Sequence, residues 1–387
     1  MNGLIVIPAY YPDKSRGGAI SGCRSFAKAI SIKHDVEIIT LDTTDQGHRV
    51  REVDGLKVSY LKGTKGLDWL SKTKWGFSLS FSKWFINNHK KYDYIYIRAL
   101  WNYISLFSAI ICIFSNKKYI ISSSGKFSRF ALKRSFWKKL LLLPLTYLII
   151  RKSVFIHYPS IYEYESTPKI ISNLTNKLIL ATGIDVLYEP SKFFNKEIKK
   201  RGKSLIYTVS RFDTIKRIEI LANNASNLSA NFDIVHVGNY EEKKEYFNQI
   251  LDIYLKHKFE VYYDLEKIDN NSKKNRIFFA GYKEIDEVNN LIKSYEKTFL
   301  IQMSHSEGQS NSILEAMARG SVCIVSKGCN MQKASKVNAI KITNEENFTE
   351  DLNYLLNNKD AFIEMNKNQY IFLNKHNSFK NIAEDFN

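Results

Sequence analysis

The feature that most constrains this chain is a series of short apolar strand patterns, each followed by a helical pattern, that occurs twice. The first series runs through Leu4 to Pro8, Val36 to Thr40, Lys57 to Tyr60, Tyr94 to Arg98, Tyr119 to Ser122 and Val154 to His157. The second runs through Leu205 to Val209, Phe232 to Val237, Ile277 to Ala280, Thr298 to Gln302 and Val322 to Ser326. Helical patterns fall between them, at Ala19 to Ser31, Thr214 to Leu228, Glu284 to Ser294 and Asn311 to Arg319. The stretch from Glu241 to Lys274 reads as a long helix followed by a solvated excursion, and the chain from Glu346 onward reads as helical. Near-continuous apolar strands alternating with helices imply parallel sheets covered on both faces. The expected class is therefore α/β, with two doubly wound domains.

A polar stretch from Leu187 to Gly202, carrying Pro190, separates the two series. It sets the expected domains at 1–187 and 202–375, with the segment 376–387 a helix returning to the first domain. At 387 residues, two domains are the expected number. Ligands in such sheets bind outside the strand carboxyl ends, so a cleft between the two sheets is the expected site.

Charge divides the chain unequally. Residues 1–185 hold 28 Lys and Arg against 12 Asp and Glu, while the remainder hold 29 against 27. A lysine-rich proteome raises cations in both halves; it does not explain why acids are scarce only in the first. The first half thus carries nearly all of the field that attracts an anionic partner. Cys23, Cys112, Cys323 and Cys329 have neither CxxC nor zinc-like spacing, so buried free thiols in a reducing compartment are expected. The start of the chain lacks a basic leader, and the apolar runs Ile104–Phe114 and Leu140–Ile150 fall short of the about 20 residues that span a bilayer. A cytoplasmic protein without a spanning helix is the expectation.

The string Ser304 to Gly320 carries the chemistry. Glu307 lies in a loop after the strand Thr298 to Gln302, and Glu315 about one turn inside the next helix. Ser310 or Asn311 would cap that helix, leaving backbone N–H groups from Gly308 onward to meet a diphosphate or sugar hydroxyls. Two carboxylates eight positions apart are common on solvated surfaces; Gly308 and the Glu315-Ala316-Met317-Ala318-x-Gly320 tail shift the balance toward a site.

On these residues the chain resembles the retaining GT-B glycosyltransferases of family 4. Three further segments carry the resemblance: Val209 to Arg217, with Arg211 and Lys216; the loop Tyr10 to Ala19, with Gly17 and Gly18; and Ala181 to Asp185. It covers nearly the whole chain. It implies a GT-B fold of two Rossmann-like domains and retention of anomeric configuration. It also implies that Glu315 binds the donor ribose, that Glu307 faces the transferred sugar, and that Gly308, Gln309, Ser310, Asn311 and Ser312 line the donor. Gly281 and Tyr282 would lie near the base, and Gly18 would let the backbone approach the donor phosphate. Thr182 stands where the family usually has Asn. The histidine that many relatives set against the reacting sugar has no clear counterpart: Arg98, before Ala99-Leu100-Trp101, sits where some relatives have His, and His157 and His305 are alternatives.

A departing diphosphate needs positive charge. The sequence has no Asp-x-Asp, the usual metal-holding pair, so Arg211 and Lys216 would supply that charge and no metal or other cofactor is expected. The stretch Ser124 to Lys139, with Lys126, mixes cations and aromatics before a leucine run. It suits either an interfacial helix on an anionic membrane or a core helix with a basic edge. With Arg98, Lys126 would serve the acceptor. The resemblance points to surface-polysaccharide enzymes, including those of lipopolysaccharide, with a nucleotide sugar as donor and a glycan or lipid-diphosphate-linked glycan as acceptor. Two other readings remain: a sugar-nucleotide epimerase or phosphorylase on the same fold, and a basic nucleic-acid-binding protein. No helix-turn-helix, zinc-finger or aromatic RNA-binding pattern supports the last.

Overall fold

The computed structural model describes residues 1–13, 17–42, 48–64, 75–125, 127, 132, 142–186, 201–265 and 274–386. The chain divides into two units, Met1–Gly183 with Asn377–Asn387, and Ile184–His376.

The first unit is built on eight strands: β1 (Asn2–Val6), β2 (Asp35–Leu41), β3 (Arg49–Val53), β4 (Leu56–Leu61), β5 (Tyr94–Arg98), β6 (Tyr119–Ser122), β7 (Phe155–Tyr158) and β8 (Asn176–Ile179). Their order is β3-β4-β2-β1-β5-β6-β7-β8. Every pairing is parallel except β3 with β4. Alternation along β1 serves both faces: Leu4 and Val6 enter one core cluster, Ile5 and Ile7 the other. The first face is covered by Phe81, Phe85, Ile104 and Ile149 from three helices, the second by Ile20, Cys23 and Phe26 from the helix Gly17–Ile30. The last helix, Phe379–Phe386, belongs to this unit: Phe386 packs its ring edge-on to Phe26 at 5.5 Å and to His34 at 5.4 Å.

The second unit holds seven strands: β9 (Arg201–Val209), β10 (Phe232–Val237), β11 (Glu260–Tyr262), β12 (Arg276–Gly281), β13 (Tyr295–Gln302), β14 (Val322–Ser326) and β15 (Lys341–Thr343). The order is β11-β12-β10-β9-β13-β14-β15, parallel throughout. At the amino ends of these strands, buried Asp233 takes the Arg276 guanidinium at 3.1 Å, Lys203 Nζ at 3.0 Å and the Tyr295 hydroxyl at 2.8 Å. The carboxyl ends are left for other chemistry. Both sheets are doubly wound, as the sequence pattern requires.

Several local expectations are corrected. The helix expected over Thr214 to Leu228 is three pieces: a 3-10 turn Thr214–Lys216, the helix Glu219–Asn224 and a 3-10 turn Ala225–Asn227. Asp213 caps the first turn by accepting from the Ile215 N–H at 3.2 Å, and Arg217, at φ 52°, ends it in the left-handed region. Gly17 and Gly18 begin the helix Gly17–Ile30 rather than lying in the loop before it. The helix expected over Asn311 to Arg319 stops at Met317. Edge strands β3, β8, β11 and β15 are not expected from the sequence, because they are three to five residues long and each carries polar residues that break the apolar run. For β3 the signal was present: Asp54 and Gly55, at φ 56° and 75°, form a two-residue hairpin turn between Val53 and Leu56. Residues 187–200 of the expected linker Leu187–Gly202, and most of the basic stretch 124–139 including Lys126, lie outside the described residues, while Arg201 and Gly202 already belong to β9.

Candidate functional site

In the second unit the chain passes from β9 to β10 and β12 on one side, then returns to place β13 on the other side of β9. The loops after β9 and β13 therefore leave the sheet in opposite directions and open a crevice at its carboxyl edge. Arg211 and Lys216 lie on the first loop and Glu307 to Ser310 on the second, with Asn311 and Ser312 opening the helix that follows.

The two loops are tied together. The His305 N–H donates to the Ile215 carbonyl at 2.9 Å. The Glu307 N–H donates to the Gly328 carbonyl at 2.9 Å, bringing in the loop after β14. Gly328 is required there: a Cβ would sit 2.3 Å from the His305 carbonyl oxygen. The Asn330 amide donates to the carbonyls of Glu307 and Gly308. On the first loop, buried Phe212 packs among His236, Tyr240, Phe247 and Phe279, at ring distances of 5.7–6.0 Å. That anchor holds the chain beside exposed Arg211.

Lys216 and Glu307, 91 positions apart in sequence, form an ion pair through Nζ and Oε1. The same Oε1 accepts from Gln302 Nε2 at 3.2 Å. The Gln302 oxygen in turn accepts from the hydroxyls of Ser310 at 3.0 Å and Ser312 at 2.8 Å. Ser310 stands at the N-cap position of the helix Asn311–Met317, yet its hydroxyl makes no capping bond. This corrects the expected cap: Ser310 stands at the cap position, but its hydroxyl is turned to donate to the Gln302 oxygen and accepts no helix N–H. Gly308 and Gln309 are half-buried along the same loop, and Asn311 and Ser312 are half-buried in the first turn of the helix. Glu315, also half-buried, lies one turn into the helix, and its carbonyl accepts from the Arg319 guanidinium.

The other expected residues lie apart from this set. Gly281 ends β12, at φ 65°, and its carbonyl accepts the Gly238 N–H at 2.8 Å. Tyr282 follows it, exposed. β10 separates β12 from β9, so these residues stand two strand spacings, about 10 Å, from the first loop.

In the first unit, Arg98 ends β5, the strand that flanks β1 at that sheet's own reversal of order. It is half-buried and donates to the Gly22 carbonyl at 3.1 Å and to Ser124 Oγ at 3.4 Å. A Cβ at Gly18 meets no atom within 4 Å, so the fold itself does not demand glycine there. His157 is a core residue. It contacts the Tyr96 hydroxyl and, at 2.7 Å, the Leu180 carbonyl, and burial depresses its imidazole to about 4. His305 is exposed.

Sequence reasoning missed Gln302, Asn330, Gly328 and Glu163. Glu163 is a buried carboxylate that accepts from Ser123 Oγ and the Gly125 N–H, both at 2.6 Å. Only Gln302 carried a usable signal, as a polar residue closing an otherwise apolar strand. Among the described residues no group of three His, Cys, Asp or Glu could hold a metal ion, and no helix is long and apolar enough to cross a membrane.

Residues 203–358 match the family model described as Glycosyl transferases group 1. No curated protein matches the sequence. Several solved structures are similar in fold. Alr3699/HepE of Anabaena, in complex with UDP and glucose, has a TM-score of 0.70 and 13% identity, over 100% of this chain and 98% of that one. Sucrose-phosphate synthase from Thermosynechococcus elongatus has a TM-score of 0.72 and 13% identity, over 100% and 97%. A glycosyltransferase from Rickettsia africae ESF-5 has a TM-score of 0.65 and 17% identity, over 100% and 96%. These likenesses show the GT-B fold class, and the family match shows that the chain carries a glycosyltransferase domain.

Proposed function

We propose that this protein moves a sugar from a nucleotide-sugar donor to a glycan or lipid-linked glycan acceptor, with retention, in the synthesis of a cell-surface polysaccharide. The observation that carries the reading is the Lys216–Glu307 pair at the reversal point of a sheet matched to the group 1 transferases. A cation and a carboxylate side by side serve the two ends of such a donor. The cation meets the diphosphate, and the carboxylate meets hydroxyls of the transferred sugar.

Arg211 and Lys216 balance the charge that develops on the leaving diphosphate, without a metal ion. Glu307 faces the transferred sugar, Gly308 to Ser312 line the donor, Glu315 takes the ribose hydroxyls, and Gly281 with Tyr282 borders the base. Arg98 and Lys126 are assigned to the acceptor, and Gly17 and Gly18 to the donor phosphates. The UDP and glucose held by the Anabaena structure support a nucleotide sugar as donor.

The reading places the protein on the inner face of the cell membrane. Besides the charge imbalance, the helix Leu143–Lys152 supports this: it exposes Leu143, Tyr147 and Leu148 on one side and ends in exposed Arg151 and Lys152. Apolar side chains beside cations suit an anionic lipid surface.

The test is sugar release from UDP-, GDP- and dTDP-sugars in excess EDTA, with proton NMR of the fresh product. Turnover of one donor in EDTA with a retained anomer is expected. Loss of turnover restored by magnesium rejects the metal-free mechanism, and an inverted anomer rejects the retaining one.

A further inference from the structure

One residue outside the expected site stands at its centre. Gln302 closes β13, is 5% exposed, and uses both ends of its carboxamide. Its Nε2 donates to Glu307 Oε1 at 3.2 Å, with Ser304 Oγ at 3.4 Å, and its Oε1 accepts from Ser310 and Ser312. The orientation is determined by charge. Turned around, the amide oxygen would face the Glu307 carboxylate, acceptor against acceptor, and both would lose their bond.

Glu307 Oε1 therefore has two partners of different character. Lys216 sits on a 3-10 turn, reaches the carboxylate through a flexible four-carbon stem, and is the natural counter-ion for any diphosphate that enters. Gln302 is rooted in a central strand paired on both sides. We infer that Gln302 is a positioning residue: its carboxamide keeps the Glu307 carboxylate aimed at the sugar while the donor diphosphate draws Lys216 away. The inference rests on the donor-site reading above. Nucleotide binding breaks the Lys216–Glu307 pair, and the Gln302–Glu307 bond survives it. Ser310 and Ser312 act one step further out, by holding the amide so that its N–H side faces Glu307.

Gln302 then affects the sugar step and not the nucleotide. The variant Gln302→Met keeps length and volume and removes both bonds. Binding of UDP, GDP and dTDP is measured by calorimetry, and kcat and KM with the donor that wild type uses. Losing one supporting contact typically costs roughly 10- to 100-fold in activity. The expected result is a fall in kcat of that size, with KM and nucleoside-diphosphate affinity within about threefold of wild type. The variant Gln302→Asn keeps a carboxamide but leaves it one methylene short of Glu307 and is expected to show the same split more weakly, which keeps the idea testable if Gln302→Met fails to fold. Two results overturn the inference alone: a wild-type kcat in these variants, or a parallel loss of diphosphate affinity and kcat. A wild type that binds none of the diphosphates and releases no sugar overturns the donor-site reading, and this inference with it.

Discussion

The two units share a topology and differ in almost everything that bears on function. Each has a parallel or mainly parallel sheet that grows outward in both directions from its first strand, β1 in one and β9 in the other. In the second unit the reversal point holds a Lys–Glu pair that is partly open to solvent, with side-chain exposures of 19% and 18%. In the first it holds Arg98, which is occupied by the Gly22 carbonyl and Ser124. The family match falls within the second unit, while residues 1–185 carry most of the excess positive charge. Doubly wound topology therefore prepares a site without specifying its chemistry, which resides in the loop side chains.

Three experiments can break or sharpen this contrast. The largest effect is expected at the site itself. Arg211→Ala should lose about 3–4 kcal/mol of transition-state stabilisation, read as a fall in kcat/KM for sugar release to water. Arg98→Ala should leave that hydrolysis nearly intact and raise the KM for the acceptor. Equal losses in both assays for the two variants would erase the division of labour.

A smaller effect should appear equally in both units. His157 in the first and His236 in the second are fully buried, and burial depresses them to about 4 and about 3. Their folded values lie below the ordinary value of 6.5. The unfolded chain thus binds more protons as pH falls. The stabilisation is complete above about pH 6.5 and is lost progressively on acidification, by about 2 kcal/mol per histidine between pH 7 and 5. Urea titrations at the two pH values should show a shallower pH dependence for His157→Phe and for His236→Phe than for wild type. An unchanged slope in either variant would mean that its histidine is charged in the folded state.

The smallest effect per residue concerns the membrane. Each cation near an anionic surface contributes roughly 1 kcal/mol. Full-length protein with Arg151→Gln and Lys152→Gln should sediment less with phosphatidylserine vesicles, and adding Leu143→Ser, Tyr147→Ser and Leu148→Ser should weaken it further. Wild-type binding should also weaken as salt rises. Sedimentation indifferent to all five changes would remove this helix from any membrane contact.

Sequence alone determined the class of both sheets. Buried parallel strands are continuous apolar runs, and β1, β5, β12 and β13 each show that pattern in strings such as Leu4 to Val6 and Phe299 to Ile301. It also determined that Arg211 and Glu307 belong to loops after strands, because strand ends are where the apolar run stops, whereas Lys216 was expected in a helix and stands on a 3-10 turn. Short polar edges such as β8 and β15 escaped, since three or four residues at a sheet's rim carry neither periodicity nor burial. Only the tertiary structure decided which groups meet. Lys216 and Glu307, 91 positions apart, meet because parallel pairing sets β9 beside β13. Local sequence governs conformation through nearby sterics and solvation, whereas contact across a sheet depends on strand order, a property of the whole unit.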